Sequence, residues 1–141
     1  MSFVITQGEL EHQYGLVLNG QTYRVFLATK AAPPGYPPGD LTVSSTLAAW
    51  EAAKLASVNG YTDVTGTVSS GVFNASSGRV EAPEITGQFG PASGAGFTFD
   101  AMVIKIGTTR TRPYAVRLYE VPQVLAAGQS RAFNITLGIK P

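Results

Sequence analysis

The sequence predicts a mainly β fold: an antiparallel β-sandwich, jelly-roll-like, with one α-helix inserted at about residues 46–58. Three observations carry this. Apolar residues alternate with polar ones at a period of two through the last third of the chain, the spacing of strands with one buried face. Glycine (16) and proline (9) are abundant and fall between the apolar runs, where tight turns need them. Only one segment has the alanine-rich composition of a helix. With 44% apolar and 13% charged residues among 141, there is enough to bury for a packed core and too little charge for a disordered tail, so residues 1–141 read as one domain.

From the N-terminus, Tyr14–Leu18 and Thr22–Thr29 flank Asn19-Gly20, a dipeptide that tolerates positive φ, and the three together read as a β-hairpin. In its second arm Tyr23, Val25 and Leu27 share one face, and Arg24, Phe26 and Ala28 the other. Residues 31–40 hold Pro33, Pro34, Pro37 and Pro38, which remove backbone donors and stiffen a surface loop with Tyr36 at its tip. In the helix, Ser44 or Ser45 supplies the cap and Asn59-Gly60 a left-handed stop. Ala48, Ala52 and Ala56 fall on one side of it, opposite Glu51 and Lys54, which lie beside Leu47, Trp50 and Val58. Because charges point to water, the smooth alanine face is expected on a sheet, with Trp50 left near the surface.

Residues 61–96 read as short strands around Val68, Val72-Phe73, Val80 and Ile85, separated by turns. Phe97–Ile106 is apolar enough for a central or bulged strand, with Phe97, Phe99, Ala101 and Val103 on one face and Met102, Ile104 and Ile106 on the other. Tyr114–Val121 alternates Tyr114, Val116 and Leu118 against Arg117 and Tyr119, and Pro122 is expected to close it. After a turn at Ala127-Gly128-Gln129, a final half-buried strand, Arg131–Ile139, directs Phe133, Ile135, Leu137 and Ile139 inward.

Little in the chain is equipped for catalysis. Cysteine is absent, which removes disulfides and thiolate metal sites. The single His12 has no serine marked as its partner for a nucleophilic relay. Glu9 with Glu11, and Glu81 with Glu84, are carboxylate pairs of the sort glycoside hydrolysis uses, but both read better as solvated surface. The formal charge of +1 argues against a nucleic-acid stripe. The nearest approach to one, Arg110, Arg112, Tyr114, Arg117 and Tyr119, splits between two strand faces. The N-terminal Met1–Ile5 segment lacks the basic and small-residue marks of a secretory signal, and no run reaches the ~18 apolar residues of a membrane span. The expectation is a protein that is not an enzyme, uses no cofactor or metal, binds neither nucleic acid nor membrane, and folds in the cytoplasm.

What remains is contact. Residues 71–141 carry seven bases against four acids, and arginine suits forked pairing across interfaces. The candidate contact residues are Tyr36, Leu47, Trp50, Arg110, Arg112, Arg117 and Arg131. A rival of another class is a carbohydrate-binding sandwich for host recognition, with Trp50, Tyr36 or Tyr61 as stacking platforms.

Several segments in order, Tyr23–Thr29, the helix opening Thr46–Glu51, Asn59-Gly60-Tyr61, Phe97–Ala101 and the ending Val124–Gln129 with its alternating last strand, form a pattern that resembles small virion structural proteins of tailed bacteriophages. These include capsid-decorating cement proteins and tail- or neck-associated components. The resemblance implies a β-rich protomer, commonly a homotrimer, that resides in the virion. Its implied partners are copies of itself and other virion proteins such as the major capsid protein, and it implies no reaction. The proline loop has no counterpart in that pattern.

Overall fold

The structure, a computed structural model, describes residues 3–139; Met1 and Ser2 of the N-terminal segment read above, with Lys140 and Pro141, lie outside the described residues. It is mainly β, with antiparallel sheets and one main helix, but that helix is not the expected one. Helix α1 spans Gln7–Val17, where a β-hairpin arm was expected. The reason is a spacing of four: Leu10, Tyr14 and Leu18 are all buried, on one side of a helix rather than on alternate faces of a strand. Thr6 caps it, its Oγ1 accepting from the Glu9 amide at 3.2 Å, and Gln7 and Gln13 donate to Glu11 and Glu9 one turn away. Asn19-Gly20 still turns the chain, with Gly20 at φ +75°, but from a helix into a strand.

Strand β1 (Thr22–Ala28) is the centre of the molecule. It lies in a four-stranded sheet of order β2-β1-β6-β7, with β2 at Val64–Thr67, β6 at Phe97–Ile106 and β7 at Ala115–Leu125. Both faces of β1 are buried, as its continuous apolar run requires. Phe26 and Ala28 pack with Leu41, Leu47, Trp50 and Val103 on one side. Val25 and Leu27 pack with Tyr61, Phe89, Phe99 and Leu125 on the other. Each large side chain buried here contributes about 1.5–3 kcal/mol.

The second helix, α2, is Leu47–Ala52 alone and ends six residues before the expected boundary at residue 58. The chain leaves the helix because it is captured by β1: Lys54 bridges to Ala28, and the Leu55 amide donates to the Leu27 carbonyl at 3.0 Å. Its cap is Thr46 rather than Ser44 or Ser45, with Oγ1 accepting from the Ala49 amide at 3.2 Å. The faces are also reversed. Leu47, Ala49 and Trp50 are buried, Trp50 at 0% exposure, while Ala48 and Ala52 face water. Glu51 and Lys54 do not need open solvent because they are paired. Lys105 Nζ lies 2.9 Å from Glu51 and Lys54 Nζ 2.9 Å from Asp63, so the charged side can lie over the sheet.

Strand β6 carries an irregularity between Phe99 and Ala101. It moves Phe99 onto the face of Val25 and Leu27, and leaves Ala101 and Val103 facing α2, so the expected four-residue face is divided. Asp100, at the irregularity, accepts from the Lys30 amide. Strand β7 continues through Pro122 to Leu125 instead of closing there. It can do so because β7 is an edge strand, where a missing amide donor costs no ladder bond.

Five shorter strands complete the fold: β3 (Val72–Asn74), β4 (Arg79–Glu81), β5 (Ile85–Phe89), β8 (Arg131–Ile135) and β9 (Gly138–Ile139). The expected single last strand is therefore two. Its first half pairs with β5, its second with β4, and between them the Leu137 carbonyl accepts from the Ala82 amide at 2.8 Å. The β5–β8 pair covers one face of the main sheet through Phe89, Phe133 and Ile135. The β3-β4-β9 sheet and α1 enclose a further core of Leu10, Tyr14, Leu18, Val68, Val80 and Leu137. The sheets do not close on one another: β7 bonds only to β6, and β8 only to β5.

Candidate interaction surface

The gap between those two edge strands is where the candidate contact residues begin to gather. The Ala126–Gln129 turn, closed by the Gln129 amide on the Ala126 carbonyl at 3.0 Å, sends β8 back beside β7 without joining its ladder. The result is a cleft of about 260 Å³. Its floor is apolar, formed by Met102, Ile104, Phe133 and Ile135, and Arg117 and Arg131 stand at its sides. A site for a drug-sized ligand holds roughly 300–1,000 Å³, so this shallow trough suits an extended chain better than a compact small molecule.

The two arginines are held by ring faces. The Arg117 guanidinium sits 4.9 Å from the centroid of Tyr119. That of Arg131 sits 5.6 Å from Phe99 and donates to Gln123 Oε1 at 2.7 Å. Neither joins an ion pair among the described residues, so both keep charge to offer. Tyr119 is fixed in turn by an edge-on contact with Phe99 and by Lys30, whose Nζ donates to the Tyr119 carbonyl at 3.1 Å. Further along β7 come Leu118, Val121 and Val124, all exposed, the last two at 69% and 66%. A long edge strand with unpaired backbone and exposed valines is a ready template for another chain.

The other candidates lie elsewhere. Leu47 and Trp50 belong to the core, and the Trp50 indole N–H donates to the Thr42 carbonyl at 3.3 Å. The expectation of an exposed tryptophan is corrected by the reversed faces of α2. Tyr36 is half-buried against that same core, over a loop stapled at its base by the Ala31–Asp40 bridge and the Leu41 amide on the Lys30 carbonyl at 2.6 Å. Arg110 donates to the Val17 carbonyl at the end of α1 at 3.1 Å, and Arg112 to the Ser44 carbonyl at 3.0 Å. Both tie the 107–113 loop to its own chain. The exposed valines of β7 are not marked in the sequence, because Pro122 reads as a strand end and Val121–Leu125 does not alternate.

The carboxylate pairs do not form a site. Glu9 and Glu11 are on a helix, where residues two apart diverge, and Glu81 accepts from Ser77 Oγ at 3.0 Å while Glu84 is exposed. His12 is exposed on α1. Among the described residues no three His, Cys, Asp or Glu side chains gather to hold a metal ion, and no helix is long and apolar enough to cross a membrane. The most perturbed ionisable group is Tyr61. Burial raises its phenol far above the usual tyrosine range, and its hydroxyl, which donates to Asp63 at 2.6 Å, is reinforced in the protonated form; the Leu27 amide donates to it at 2.9 Å. A phenol locked as donor and acceptor inside a core is a structural strut. With Tyr61 and Trp50 buried, two of the three proposed sugar-stacking platforms are out of reach of a glycan.

No family model matches the chain, and neither a curated protein nor a solved structure is significantly similar to it.

Proposed function

We propose that this chain is a structural protein of a tailed-phage virion, most specifically a capsid cement or decoration protein that stabilises the shell through protein–protein contacts. It folds in the host cytoplasm and assembles with copies of itself, as a homotrimer, and with other virion proteins such as the major capsid protein. The observation that carries the reading is the β7 edge: exposed Leu118, Val121 and Val124 beside an open cleft flanked by two arginines that join no ion pair among the described residues. An exposed apolar edge of this kind supports an adhesive role. The jelly-roll-like character of the sandwich belongs to the same proposal, supported by the non-local pairings of β1 with β6 and of β5 with β8.

Immunogold labelling of purified particles tests it. Gold distributed over the shell lattice is the expected result. Gold confined to the tail vertex would move the assignment to a neck or tail component, and particles free of label would end the virion reading.

A further inference from the structure

The cleft has an apolar floor, and the same chain carries an exposed apolar segment. Ahead of α1, residues Phe3, Val4 and Ile5 are exposed, the first two at 92% and 82%. Thr6, which follows them, has extended backbone at φ −72° and ψ 157°. Three large apolar residues, two of them β-branched, are strong strand formers with nothing of their own chain to cover them. We propose that the segment Phe3–Thr6 of one copy seats as an added strand in the β7–β8 cleft of a second copy. This rests on the structural-protein reading above, and names the second copy as the partner of that surface.

Geometry and charge both favour this occupant. β7 and β8 each have a single partner strand among the described residues and both line the cleft, so an extended segment laid there is offered backbone partners that a helix would not use. Side chains of such a strand alternate, with one set toward Met102, Ile104 and Phe133 and the other toward water. Behind the arm come Glu9 and Glu11, both exposed and outside any ion pair among the described residues. Among the described residues their carboxylates accept only from Gln7 and Gln13 on their own helix. The cleft offers Arg117 and Arg131 in the same unpaired condition. Two acids follow the donor strand and two bases flank the acceptor, so the pairing is complementary between copies. Donor and acceptor lie on different parts of one surface, which makes the contact head-to-tail.

Three measurements test the proposal together. Light scattering on the full chain gives the mass of the wild type and of V4D/I5D. A fluorescent peptide of residues 3–11 is titrated into V4D/I5D, whose cleft is intact, and into the same chain with R117E/R131E added. The chain has no cysteine, so V4C/A132C probes proximity cleanly in the absence of reductant. We expect an assembled wild type, a V4D/I5D variant that is monomeric, peptide binding weakened more than about tenfold by the arginine reversals, and disulfide-linked multimers of V4C/A132C. An assembly that survives V4D/I5D with unchanged mass overturns the arm inference and leaves the adhesive reading standing. A V4C/A132C disulfide formed within one chain also overturns it, since the arm then closes its own cleft. A monomeric wild type that neither binds the peptide nor labels particles removes both readings.

Discussion

Replacing Trp50 by alanine separates a core role from a contact role for the one tryptophan. The indole is at 0% exposure against Phe26, Leu47 and Val103. An aromatic side chain of this size buries about 200–250 Å², worth roughly 5–6 kcal/mol at about 25 cal/mol per Å². Alanine keeps part of that, so about 4 kcal/mol is lost, within the ~3–5 kcal/mol typical of such truncations. The hydrogen bond to Thr42, long at 3.3 Å, adds little because that carbonyl lies in an exposed segment where water can replace the indole. For a chain of this length the loss lowers Tm by roughly 14 °C. Urea unfolding followed by far-ultraviolet circular dichroism measures it, and the slope of free energy against urea should not change. Trp50→Phe, which keeps most of the volume, should cost less than half as much. In the wild type, emission should be blue-shifted and poorly quenched by iodide. A Trp50→Ala chain that loses under about 1 kcal/mol, yet changes its association, would refute the core assignment.

Other changes probe other parts of the argument. Gly96 sits at φ +73°, and an added Cβ would lie 2.1 Å from the Leu125 carbonyl oxygen, so Gly96→Ala should cost more than about 2 kcal/mol by chemical denaturation. Tyr61 has a folded-state pKa above its unfolded value, so its contribution is whole below pH ~10 and lost as pH rises beyond it, by about 1.4 kcal/mol per pH unit. Tyr14 moves in the same direction, through burial and the neighbouring Tyr114, and Tyr61→Phe should flatten the alkaline limb of a stability–pH curve. Thr6→Ala removes the α1 cap and should cost about 1 kcal/mol while loosening the arm–helix junction, seen as faster amide exchange in the first turn. V121S/V124S should leave stability within about 0.5 kcal/mol, because these side chains already face water, and on the proposed function should reduce binding to purified shells.

The strands of the last third were legible because their neighbours enforce what their sequence prefers. Phe97–Ile106 is largely apolar, with only Thr98, Asp100 and Lys105 polar, and carries buried residues on both faces, which favours a central strand. Thr22–Ala28 was legible for the same reason, including which residues share a face. Reading failed where a short segment satisfies two periods. Tyr14–Leu18 alternates weakly as a strand, yet Leu10, Tyr14 and Leu18 also lie four apart, and only tertiary burial decides between them. The α2 faces were misread because charge was taken as a marker of solvent. Glu51 and Lys54 are partnered by Lys105 and Asp63, residues 54 and 9 positions away, and such partners cannot be seen from the helix alone. Of the contact candidates, Arg117 and Arg131 converge because a turn at 126–129 folds their strands together. Arg110 and Arg112 looked equivalent in sequence but meet carbonyls of their own chain.

The two edges of the main sheet are treated differently, and the difference bears on the proposed assembly. At one edge β2 has four residues and lies against β5, so little backbone is left for a stranger. At the other, β7 has eleven residues, and the irregular stretch with Pro122 protects only its middle. Under the proposal, the open Ala115–Leu118 edge and the exposed Phe3–Ile5 segment are acceptor and donor of one contact. A head-to-tail contact either closes into a ring or grows without limit, according to the rotation each step imposes. Three copies close only if that rotation is about 120°, and then every arm is seated and every cleft filled. Mass should in that case reach a plateau at three copies as concentration rises; continued growth would mean that the angle between α1 and the cleft leaves an arm free at each end, available to a shell rather than to a sister copy.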